Sequence, residues 1–132
     1  MILSSPFLRR ALIADAIFSG LGAIGMTLDA GMLAPLFELP EALLRETGLI
    51  LIAYTALVGW LGSRPSVPRP LIMIVIAINA AWTVASIALL LSGSVSPNLL
   101  GEVAVVAQAI ATGVLAELQY IGLRKSGGAV AA

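Results

Sequence analysis

The chain has 132 residues, 60% of them hydrophobic and 11% charged, with a mean hydropathy of +1.07. Soluble domains run at about 45–50% apolar and about 25% charged, so this composition excludes a water-soluble globule and points to a small integral membrane protein. The absence of Cys and His excludes disulfides, thiol redox chemistry, His-ligated haem or zinc and His-based triads. Seven basic residues against seven acidic ones leave no net charge to attract nucleic acid.

Four apolar runs follow one another: Ala11 to Leu28, Leu43 to Gly62, Leu71 to Leu91 and Val103 to Leu123. Each is near or above the roughly 18–20 residues that cross about 30 Å of hydrocarbon. No sustained polar/apolar alternation suggests barrel strands, which leaves helices as the elements that satisfy their own backbone in lipid. Pro6, Pro40, Pro70 and Pro97 stand just ahead of the runs, where a helix tolerates a missing N–H. Ser5 and Ser96 precede two of them as N-cap candidates. The reading is an all-α, four-helix transmembrane bundle with helices near 6–28, 40–62, 70–92 and 97–123. It forms a single domain over 1–125, and residues 126–132 read as a disordered tail.

The first run has a basic stretch before it, as a secretory signal does. Its length, Asp15 and the lack of a small-x-small cleavage site favour a retained span. Short connections make sequential helices antiparallel neighbours in an up-down-up-down bundle. The apolar connection Gly31–Leu39 suits the headgroup region or the outer end of the bundle. Arg9, Arg10, Arg64, Arg69, Arg124 and Lys125 fall on one side, and Arg45 alone on the other. The positive-inside rule places both termini and the middle loop in the cytoplasm. The halves also lay onto each other: Arg10-Ala-Leu-Ile13 on Arg69-Pro-Leu-Ile72, and Pro40, Leu43 and Thr55 on Pro97, Leu100 and Thr112. This is the pattern of a parallel 2+2 repeat.

Charge inside hydrocarbon costs roughly 2.5–3.5 kcal/mol or more, so Asp15 and Glu117 stand out. Both lie in the half nearer the termini. Tyr54, Asn79, Trp82 and Thr83 fall at comparable or slightly greater depth, and Ser19 follows Asp15 on one helical face. Asp15, Glu117, Asn79, Tyr54, Ser19, Trp82 and Thr83 are therefore the candidate ligand-binding residues. Glu117 and Gln119 cannot act from one face, and Gln119 aligns with Gln108 and Thr112 in a second polar stripe. No catalytic residue, metal site or cofactor is expected. Small-xxx-small spacings at Ala16/Gly20, Ser19/Ala23, Ala77/Ala81/Ala85 and Ala109/Gly113 promise tight packing and suggest homo-oligomer formation.

The runs Leu8-Arg-Arg-Ala-Leu-Ile-Ala-Asp15, Leu39-Pro-Glu-Ala-Leu-Leu-Arg45, Asn79-Ala-Ala-Trp82 and Ala116-Glu-Leu-Gln-Tyr-Ile-Gly-Leu-Arg124 resemble a group of small bacterial four-helix integral membrane proteins. Their layout is similar to that of DoxX-like bundles. The resemblance implies a multi-pass inner-membrane protein and brings no activity with it. The signature residues of fluoride channels and small multidrug exporters are not found. Three functions stay open. The first is binding of a small cationic or protonatable ligand, lipid headgroup or cation in the polar layer, with proton-coupled transport as its stronger form. The second is a structural or accessory subunit whose polar residues specify helix pairing. The third is a membrane enzyme using paired carboxylates.

Overall fold

The computed structural model describes residues 1–126 and is built from four long helices and one short one. In chain order these are α1 (Pro6–Leu28), α2 (Ala30–Phe37), α3 (Glu41–Ser63), α4 (Arg69–Ser92) and α5 (Leu99–Lys125). Four of them, α1, α3, α4 and α5, are long and apolar enough to cross a membrane, so the chain is a transmembrane helical bundle. Two-residue strands, β1 (Ile2–Leu3) and β2 (Ser66–Val67), pair antiparallel. They tie the N-terminus to the α3–α4 connection and bury Val67 completely. Such short strands carry no periodicity, and nothing local in the sequence announces their pairing.

The helix ends follow local chemistry. Ser5 caps α1 by accepting from the Leu8 amide at 3.1 Å, and Pro6 takes the first helical position. Ser96 does not cap α5. Asn98 does, accepting from the Gly101 amide at 2.8 Å, so the helix begins at Leu99 rather than at Pro97. The Asn98 side-chain amide also donates to the Leu36 carbonyl at 2.8 Å, which docks the end of α2 on the start of α5. The apolar connection is thus a helix, and its only interior proline is Pro35. Glu38 ends it in the left-handed region at φ 53°. Ser126, assigned to the tail, is held instead: its hydroxyl donates to the Gly122 carbonyl at 2.8 Å and accepts from the Ser5 amide at 3.0 Å. Residues 127–132 lie outside the described residues.

Packing is uneven around the bundle. The most extensive pairings are α1 with α3 and α4 with α5, and α1 meets α5 more lightly. Gly122 allows that last approach, because a Cβ there would lie 2.7 Å from Leu8 Cα. Small residues serve these seams: Gly20 faces Thr55, Gly59 faces Ala16, and Gly113 faces Thr83. Ala77, Ala81 and Ala85 instead lie on the exposed side of α4. Sequence order predicts that α3 and α4 are close neighbours, and here the bundle departs from it. They join through Val58, Leu61, Ile72 and Val75 in the buried cluster near β2, but they do not pack closely along their length. A cleft separates them beyond Tyr54 and Asn79.

Candidate functional site: a buried carboxylate beneath an interhelical cleft

Asp15 lies on the buried face of α1 with Leu8, Leu12 and Ser19, and none of its surface is exposed. Each spanning helix brings one hydrogen-bonding side chain to it. Ser19, one turn along α1, donates its hydroxyl to Oδ1 at 2.8 Å. Oδ2 accepts from the Tyr54 hydroxyl of α3 at 2.6 Å, from Asn79 Nδ2 of α4 at 2.9 Å and from Gln119 Nε2 of α5 at 2.7 Å. Asn79 Nδ2 also donates to Gln119 Oε1 at 2.9 Å. Four neutral donors thus meet the carboxylate, three of them on Oδ2 and one on Oδ1.

No cation reaches this carboxylate. Among the described residues the one ion pair joins Arg45 to Glu41 at 2.9 Å, near the start of α3. The remaining basic side chains sit at the other end of the bundle. There Arg64 stacks over Trp60, Arg124 over Tyr120 and Lys125 over Phe7. This is the arrangement of an interfacial aromatic and cationic belt.

Glu117 does not join Asp15. It lies on the exposed side of α5, because Ala109, Thr112, Ala116, Gln119 and Leu123 turn inward at three- and four-residue steps. With Gln119 inside, a residue two positions earlier faces away. The two carboxylates therefore do not face one site, and acid–base work by a carboxylate pair has no geometric basis here. Gln119 is the residue that sequence reasoning left out of the site. The signal was its alignment with Gln108 and Thr112, and all three turn out to bond within the bundle. Thr83 and Trp82 do not touch Asp15 either. Thr83 Oγ1 donates to the Ala109 carbonyl at 2.9 Å and lies 2.7 Å from Thr112 Oγ1, which stitches α4 to α5. Trp82 Nε1 donates to Gln108 Oε1 at 3.0 Å, and Gln108 Nε2 donates to Ser86 Oγ at 2.7 Å.

Above the carboxylate lies a cavity of about 1070 Å³. Ser19, Tyr54 and Asn79 form its polar floor, and the Trp82–Gln108–Ser86 chain runs up one wall. Apart from Thr47 and Thr112 the rest is apolar, mainly Leu, Ile and Met side chains of α1, α3 and α4. Ile50 and Ala53 of α3 and Ile78 and Ala85 of α4 are at once lining and exposed, so the opening between these helices lies on the lipid side. Among the described residues no group of His, Cys, Asp and Glu is placed to hold a metal ion. No family model, curated protein or solved structure matches the chain.

Proposed function

We propose that this protein binds a small amphiphilic molecule in the cleft between α3 and α4, with the polar end of the ligand on the Ser19–Tyr54–Asn79 floor. The cleft itself is the observation that carries this reading: an apolar cavity of about 1070 Å³ closed at one end by polar side chains. Ligand sites are concave, mainly apolar and furnished with a few convergent polar groups, at volumes of about 300–1,000 Å³. A span-by-span packing defect between α3 and α4 would be filled by lipid chains alone and would need no polar floor.

The two Trp residues give a direct test. With Trp60 changed to Phe, Trp82 on the cleft wall becomes the sole indole. In lipid nanodiscs, bromoundecanol should quench Trp82 fluorescence saturably, and Ala85→Phe, which fills the opening from an exposed position, should abolish saturation. Quenching that rises linearly with bromoundecanol and ignores Ala85→Phe would show mere partitioning into lipid and refute the reading.

A second reading, a structural or accessory subunit, is favoured by one specific observation. Both oxygens of Asp15 accept from donors of this same chain, and a polar network of this kind specifies how helices register. The two roles are compatible, since a rigid floor also preorganises a site.

The location we infer is a bacterial inner membrane with both termini in the cytoplasm. The orientation is supported by six basic residues at the end of the bundle that carries the termini, against Arg45 at the other. The chain lacks native Cys, so single cysteines introduced in the α3–α4 connection and at Asp29 report sidedness cleanly. Labelling of the former from outside intact cells would overturn the orientation.

A further inference from the structure

Asp15 is completely buried in the spanning region and has no cationic partner among the described residues. Its four partners are neutral donors, and three of them, Ser19, Tyr54 and Asn79, are also the floor of the cleft. A ligand headgroup resting on that floor is separated from the carboxylate by a single layer of hydrogen-bonded side chains. Charge at that range acts strongly in a water-poor interior.

The geometry points to a lipophilic monocation as the occupant of the cleft, entering from the bilayer between α3 and α4. This inference rests on the cleft being a binding site and adds the charge of what binds. Three features of the cavity agree on it. The carboxylate behind the floor is held by neutral donors and has no Lys or Arg partner among the described residues. Phe18, Tyr54 and Trp82 all line the cavity, and aromatic residues attract cations to their ring faces. The lining offers no Lys or Arg to repel a positive headgroup or to hold an anionic one. The length of the lining also fits a tail. It runs from Asn79 to Leu89 on α4, ten helical steps and roughly 15 Å at 1.5 Å per residue, which is the reach of an extended medium-length alkyl chain. A dication would leave one charge without a partner, since Asp15 is the only acidic side chain buried in the bundle among the described residues.

The test compares two ligands that share a tail and differ in headgroup charge. Bromoundecanol and bromoundecyl-trimethylammonium are titrated against Trp82 fluorescence in zwitterionic nanodiscs, in the Trp60→Phe background. The cation should saturate at a concentration on the order of 10-fold or more below the alcohol. Asp15→Asn, checked for helicity by circular dichroism, should bring the two within about 2-fold of each other. An alcohol that saturates as tightly as the cation on the unmodified floor would overturn the inference while leaving the binding site in place, and it needs no Asp15 variant to be seen. Saturation by neither ligand would overturn the site as well.

Discussion

The sharpest prediction concerns two residues that are neighbours in sequence and opposites in the fold. Gln119 is fully buried and makes two side-chain bonds, donating to Asp15 at 2.7 Å and accepting from Asn79 at 2.9 Å. Gln119→Leu keeps the volume and removes both. A hydrogen bond to a carboxylate contributes about 1.5–3 kcal/mol and a neutral one about 0.5–1.5 kcal/mol in soluble proteins. Interhelical bonds in membranes average about 0.6 kcal/mol, since the unfolded helices in lipid also find partners. Together these bracket the loss at about 1–4.5 kcal/mol. Glu117→Gln, on the exposed side of the same helix, should change stability by less than about 0.5 kcal/mol. Reversible unfolding in mixed micelles, followed by circular dichroism, measures both. A double-mutant cycle with Asn79→Leu should then show coupling of about 0.5 kcal/mol or more. If Glu117→Gln costs as much as Gln119→Leu, the placement of α5 and the identity of the polar layer are wrong.

Other substitutions test the packing and the caps. Gly48→Ala would put a Cβ 2.5 Å from Thr27 Oγ1 and 2.7 Å from the Thr27 amide nitrogen, so it should destabilise by about 1–3 kcal/mol and lower the thermal midpoint in detergent. Gly25→Ala meets nothing within 4 Å and should leave stability unchanged or raise it by up to about 1 kcal/mol, read as an equal or higher midpoint. Asn98→Ala removes both the α5 cap and the tie to Leu36; a loss of about 1–2 kcal/mol is expected. Hydrogen exchange in α2 should then speed up before the rest of the bundle opens. Arg45→Ala breaks the exposed pair with Glu41, and its effect on the unfolding midpoint should be no more than about 0.5 kcal/mol.

Much of the bundle was legible in the sequence. Span number and boundaries follow from hydropathy and proline placement, because lipid enforces long uninterrupted helices whatever their neighbours. Asp15, Tyr54 and Asn79 could be grouped by depth and Ser19 by its place on the face of Asp15, and the bundle brings all four together. Depth does not give rotation. Glu117 and Gln119 lie within 3 Å of the same height at 1.5 Å per residue, and only the inward face of α5 decides between them. The 3.6-residue period would normally reveal that face, but a membrane helix is apolar on its lipid side as well as its packed side. The hydrophobic pattern that orients a soluble helix is therefore absent.

Composition and order along the chain are enough for a four-span membrane protein with six of its seven basic residues at the end that carries the termini. Tertiary structure alone decided that Asp15 is surrounded by neutral donors from all four spans, that Gln119 rather than Glu117 is among them, and that α3 and α4 part to leave a cleft. Each of these depends on helix rotation and on which helices pair. Both are set by close contacts such as Gly122 against Leu8 and Gly48 against Thr27, between residues that only the folded chain brings together.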